Sequence, residues 1–211
     1  YKVYLGKSVG QIFFNSRQEL VDALEKYHGQ AVSFHAEDPE ILASHEADTT
    51  HEQRRPAEAE VKGIEFALKL IEKFGLHGKI CHVSTAAGLE KVQLAKKQGL
   101  RVTCEVTPHH LFFAQEDLTA ENRKLLQVNP PIRSRADREA LLEGLRQGVV
   151  DYLASDHAPH TLLEKQAGGV SGVPNLDTYG AFVTWLMVEK NFSAAAVARF
   201  CARNPGDFVN E

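Results

Sequence analysis

Three side chains with metal-binding chemistry stand where short apolar runs end. His35 follows the run 31–34, His82 lies at the far end of 79–83, and Asp156 follows 149–155. Two neutral imidazoles and a carboxylate are a donor set suited to a borderline-soft divalent cation such as zinc. A lone histidine in such a place is more often a hydrogen-bonded core residue than a ligand, so the cluster, not any one member, carries the metal reading. The segment Ala154-Ser155-Asp156-His157-Ala158-Pro159-His160 is the most specific feature. Pro159 stiffens the turn, so Asp156 and His160 could face the same side. Asp156 could also accept backbone hydrogen bonds as an Asx motif.

The elements that must position these groups alternate in type. Strands are expected at 1–5, 31–34, 79–83, 101–106 and 149–155. The helices expected between and after them cover 16–27, 56–75, 86–98, 137–147, 176–190 and 193–203. Ser16 and Glu19 form a capping-box pair, Pro56 opens a helix that Gly75 stops, and Ser193 is an N-cap. The polar stretch 36–55 is long for a loop and is expected to carry function or a short helix. Strands separated by helices indicate parallel βαβ units and an α/β fold. No glycine-rich phosphate loop follows the first strand, which leaves a Rossmann reading without support. A (β/α)8 barrel gathers functional groups at the C-terminal ends of its strands, but needs eight strands and about 250 residues. Five strands in 211 residues therefore read as one domain, 1–211, forming part of such a barrel.

Composition narrows the classes further. Apolar residues are 43% and charged residues 25%, with a formal net charge of −4, so nucleic acid is not an expected partner. The longest near-apolar run, 181–188, is too short to cross a bilayer. Three scattered cysteines point to a reducing, cytoplasmic setting rather than a disulfide framework. The chain begins at Tyr1 and its only methionine is Met187, which suggests an excerpt or a processed product.

The Asp-His-Ala-Pro-His run at 156–160, with Lys165 beyond it, resembles a signature of the dihydroorotases. Further matches follow in order: Lys2-Val3-Tyr4-Leu5, Phe34-His35-Ala36-Glu37, Cys81-His82-Val83-Ser84, the run from Cys104 to Phe112, Asn129-Pro130-Pro131-Ile132-Arg133 and Gly172-Val173-Pro174. The resemblance spans nearly the whole chain and lies closest to archaeal enzymes and the dihydroorotase domain of the animal multifunctional pyrimidine protein. It implies an amidohydrolase-type TIM barrel, of which this chain covers strands four to eight. It also implies zinc, two ions in the complete site, held here by a carboxylated Lys2, His35, His82 and Asp156. Asp156 would be catalytic, moving a proton from the attacking water to the departing nitrogen. His160 would hold the substrate carboxylate, with Asn129 and backbone near Pro174 holding the ring. The implied reaction is the reversible cyclisation of N-carbamoyl-L-aspartate to L-dihydroorotate in pyrimidine biosynthesis.

Other positions read as structural. His109 and His110 are expected to make structural hydrogen bonds, and His45 and His51 to be solvated. Cys81, by strand alternation, should face away from His82 and pack. Departures from the family pattern matter as much. The His-X-His pair and arginine of the family's first strand do not occur, so the 211 residues alone are expected to be inactive, as an excerpt or a degenerate relative. A further segment completing a flanking β domain is also missing. Asn175 stands where the family pattern carries glycine, and the loop around Ser8 and Val9 aligns poorly. The rival readings are an allantoinase or dihydropyrimidinase, and a non-catalytic scaffold binding aspartate transcarbamoylase. A small-molecule substrate, a homodimer and aspartate transcarbamoylase are the partners under consideration.

Overall fold

A computed structural model describes residues 1–6, 13–14 and 16–209; Ser8 and Val9 lie outside the described residues. Five parallel strands form its sheet: β1 (Lys2–Tyr4), β2 (Ala31–His35), β3 (His77–Ile80), β4 (Val102–Val106) and β5 (Tyr152–Leu153). Their spatial order is the chain order, β1-β2-β3-β4-β5. A doubly wound sheet reverses its order at a switch point. This one never does, so the strands are successive staves of a barrel.

The helices are α1 (Arg17–Leu24), α2 (Pro39–Ser44), α3 (His51–Arg54), α4 (Ala57–Phe74), α5 (Ala86–Lys97), α6 (Pro108–Phe112), α7 (Arg135–Gln147), α8 (Leu162–Ala167), α9 (Leu176–Val188), α10 (Ala194–Ala198) and α11 (Asn204–Val209). Several signals in the sequence act as expected. The Ser16 hydroxyl accepts from Glu19 N–H, Gly75 ends α4 at φ 58°, and Ser193 caps α10. The long polar stretch holds two short helices, α2 and α3, each with its own cap at Asp38 and Thr50. The last expected helix, 193–203, divides into α10 and a π-helical turn at Arg199–Arg203, and α11 continues beyond it.

Strand alternation sorts side chains onto two faces. Val32, Phe34, Ile80, Val102, Cys104, Val106 and Leu153 join the core beneath the helices with Ile64, Ile71 and Leu141. The other face is polar. There the Lys79 ammonium donates to Glu105 at 2.6 Å and lies over the Tyr152 ring. One close approach anchors the rim: a Cβ on Gly63 of α4 would stand 2.4 Å from the Ala36 carbonyl oxygen. Only glycine lets α4 lie directly under the turn that leaves His35.

Two strands end earlier than the residue pattern suggests. β3 stops at Ile80 and β5 at Leu153, so His82 and Asp156 stand beyond the ladder. Both take positive φ, 36° and 44°, a region costly for non-glycine residues. At His82 this turns the chain out of strand alternation, which corrects the expectation for Cys81. Its thiol faces the polar side with Lys2 and Glu105, and burial with that carboxylate pushes its pKa up.

Candidate active site

The mouth of the barrel brings His35 and His82 together. His35 Nδ1 lies 3.0 Å from His82 Nε2, with the rings steeply inclined at 74°. Both residues are 2% exposed. Two nitrogens on one tetrahedral zinc, each about 2.0–2.1 Å from the ion, would sit about 3.3 Å apart. The pair is thus spaced as two donors to a single ion. Behind His35, Nε2 lies 2.8 Å from Glu37 Oε2, and Glu37 in turn pairs with Arg55 through its Nε at 3.1 Å and a second, shorter contact from Nη2. That bond places the His35 proton on Nε2, so Nδ1 accepts from His82 Nε2–H here and would offer its lone pair to a metal, the arrangement that orients metal-bound imidazoles. The His35 ring and the Arg55 guanidinium hold the Glu37 carboxyl well below the usual range despite full burial. Burial, with Lys2 and neighbouring imidazoles, pushes His82 far down, so it is neutral at pH 7; its Nδ1 is buried without a partner.

Lys2 and Asp156 complete the group more loosely. Burial lowers the Lys2 pKa, but Cys81, Tyr4 and Asp156 outweigh it and raise the ammonium above the usual lysine value. Asp156 is pushed up by burial, opposed by Lys2 and His35 and assisted by Glu105. These four residues share one electrostatic neighbourhood. Among the described residues, however, no three His, Cys, Asp or Glu side chains converge as a ready ion-binding group. The histidine pair fits a cation; Lys2 and Asp156 stand around it.

A cleft of about 740 Å³, lined among others by His51, Arg54, Asn129, His160 and Ser171, reaches the site through Arg55, the partner of Glu37; His35, His82, Lys2 and Asp156 do not themselves line it. His160 Nε2 lies 3.2 Å from the Ser171 carbonyl, which it serves as donor. Asn129 Oδ1 is buried without a partner, a spare acceptor on the cleft wall. Pro174 is not brought here. It is exposed and lines a separate apolar cavity of about 490 Å³ with Phe112, Phe113 and Trp185, because the chain turns outward after Gly172. The part of that loop lining the cleft is Gly169 to Ser171.

Several supporting residues escaped the sequence reading. Glu60 of α4 accepts from Ser84 N–H at 2.7 Å and from the Thr85 hydroxyl, and Arg133 Nε donates to Ser84 Oγ at 3.0 Å. Together they brace the strained turn that presents His82. Arg133 Nη1 also donates to the Arg55 carbonyl at 2.7 Å, tying this brace to the Glu37 pair. Lys165 holds the cleft loop by donating to the Gln127 and Gly172 carbonyls at 2.9 and 3.0 Å. His51, expected to be solvated, is within 2.8 Å of the Val128 carbonyl. His110 is bonded on both nitrogens, to Thr107 and Pro130, whereas His109 is bonded only through Nδ1, to Asn175. Glu37 lies within a matched segment, but nothing in its spacing announced Arg55 as its partner.

No protein-family model matches the chain. Curated proteins do. The chain is 40% identical over 181 residues to the dihydroorotase of Thermococcus kodakarensis, covering 84% of this chain and 39% of that protein. It is 49% identical over 110 residues to the dihydroorotase of Lactiplantibacillus plantarum, covering 49% of this chain and 25% of that one. By sequence, the chain is a relative of the dihydroorotases. It spans about two fifths of the Thermococcus enzyme's length. In fold, this dihydroorotase relative resembles the L-hydantoinase (dihydropyrimidinase) of Arthrobacter aurescens, with a TM-score of 0.88 at 24% identity, over 99% of this chain and 50% of that one. The match confirms the expected α/β architecture, part of a TIM barrel of the amidohydrolase type.

Proposed function

We propose that this chain is the part of a zinc-dependent dihydroorotase that carries its catalytic aspartate, acting on the cyclic amide of L-dihydroorotate and closing N-carbamoyl-L-aspartate in reverse. The observation that carries the reading is the buried His35–His82 pair, backed by Glu37 and standing beside Asp156 and Lys2. His35, His82, a carboxylated Lys2 and Asp156 would hold the zinc. Bound zinc supplies a water-derived nucleophile near neutral pH and polarises the amide carbonyl. The Asp156 carboxylate, whose proton affinity burial raises, takes up a proton as the carbonyl is attacked and returns it to the departing ring nitrogen. His160, anchored through Nε2 to Ser171, lines the cleft and would hold the substrate carboxylate. Asn129 Oδ1 can accept from a ring N–H. The remaining ligands of a two-zinc centre do not occur within the 211 residues.

A hydantoinase or dihydropyrimidinase reading draws on the fold likeness. The cleft favours dihydroorotase instead, because Arg54 and His160 line it and suit a substrate bearing a carboxylate. The test is turnover by the intact protein with added zinc on L-dihydroorotate, hydantoin, dihydrouracil and allantoin. Preference for dihydroorotate supports the proposal. Preference for an uncharged ring would favour the rival, and a folded protein with no zinc uptake and no turnover would leave only a scaffold.

A further inference from the structure

Asn175 occupies the N-cap of α9, a position at which asparagine ordinarily accepts a hydrogen bond from its own helix. Here its side chain makes no such bond. Both hydrogens of its amide are directed elsewhere: Nδ2 donates to the Ser155 carbonyl at 2.7 Å and to His109 Nδ1 at 2.8 Å. Capping falls to another residue, as His157 Nδ1 accepts from the Asn175 and Leu176 N–H groups, each at 3.2 Å. The peptide neighbours on both sides of Asp156 are thereby fastened to the start of α9. A bridge between His157 and Val173, with Ala158 N–H donating to the Val173 carbonyl at 3.1 Å, fastens the far side again.

Asp156 needs such a frame. It lies beyond the last ladder bond of β5, at φ 44°, where a non-glycine residue persists only if its surroundings hold it. The other hydrogen of Asn175 reaches α6, which leaves the end of β4. His109 there is buried, and its Nε2 has no partner among the described residues, so the Asn175 bond is the only hydrogen bond of its ring. One buried amide therefore joins the C-terminal ends of β4 and β5 to the helix that follows. Backbone demand does not explain the residue: φ −106° and ψ −11° suit many side chains. What asparagine adds at this position is the pair of donated bonds.

We infer that Asn175 is a positioning residue that fixes the Asp156 carboxylate relative to His35 and His82, a role that rests on the function proposed above. Asn175→Asp is the sharpest perturbation. It keeps the shape and a capping-competent side chain, but a carboxylate cannot donate to Ser155 or to His109. In the intact protein, zinc affinity measured by competition with a chelating dye should fall about tenfold or more, the range seen when an outer-shell partner is lost. The kcat on dihydroorotate should fall about tenfold as well, with KM within about twofold of wild type, because the substrate contacts at His160 and Asn129 are untouched. Thermal unfolding without zinc checks that Asn175→Asp is folded; should it fail to fold, Asn175→Ala, which adds no charge and removes both donated bonds, takes its place with the same expectation. Wild-type zinc affinity and kcat in the folded variant overturn the inference while leaving the proposed function standing. A loss in KM alone also overturns it. Absence of zinc binding and turnover in the wild type removes the proposed function, and the positioning role with it.

Discussion

Replacing Gly63 by alanine puts the packing of the mouth to a direct test. A Cβ there would lie 2.4 Å from the Ala36 carbonyl oxygen, 2.5 Å from its carbon and 2.8 Å from Glu37 N. Real Cβ contacts essentially never fall below 3.0 Å, so at least 0.6 Å (3.0 − 2.4) must open between α4 and the turn after His35. All three obstacles are backbone atoms, and they cannot rotate aside. Alanine gains about 1 kcal/mol over glycine in a helix interior. Forcing a tight contact apart costs about 1–3 kcal/mol, and more where backbone must move. The overlap here is at the severe end, so Gly63→Ala should lose about 2 kcal/mol net, or roughly 4–8 °C in Tm for a domain of this size. Gly180, mid-helix in α9, is the control, since nothing lies within 4 Å of its added Cβ. Gly180→Ala should gain about 0.5–1 kcal/mol by helix propensity alone. Urea denaturation of the two variants, compared at constant m, reads both. If Gly63→Ala proves as stable as Gly180→Ala, α4 does not press on the His35 turn and the description of the rim is wrong.

Other perturbations follow from named contacts. Asp156→Ala should reduce kcat at least a hundredfold with an unchanged circular dichroism spectrum, since proton transfer is lost and the fold is not. His160→Ala should act mainly on KM, raising it about tenfold or more through loss of a charge-assisted hydrogen bond. Glu37 has its pKa depressed in the folded state, so it stabilises the fold above the unfolded glutamate pKa of about 4.3 and loses that contribution as pH falls further. The urea midpoint should therefore drop on acidification below about pH 4, and Glu37→Gln should flatten that dependence. Lys165 is pushed down by burial to about 8. Between that value and the unfolded lysine pKa of about 10.4 the unfolded chain binds more protons, so stability should rise with pH across this window. Lys165→Met should abolish the rise, as read by urea titrations at pH 8 and pH 10.5.

Local chemistry made the alternation of strand and helix readable, along with the Ser16, Gly75 and Ser193 boundaries and the placing of His35 at a strand end. Apolar periodicity and capping act over a few residues, so the chain displays them without being folded. The same periodicity misled at Cys81 and His82, because strand alternation assumes that the strand continues, and β3 ends at Ile80. The partners of the site could not be read in this way. Arg55 is 18 residues from Glu37, Glu60 is 24 from Ser84, and His109 is 66 from Asn175. No local rule relates such separations; only the sequential winding of the five strands brings their C-terminal ends to one rim. The positive φ at His82 and Asp156 belongs to the same level, since these conformations persist through bonds from Glu60, Arg133 and Asn175 that exist only once the helices have docked.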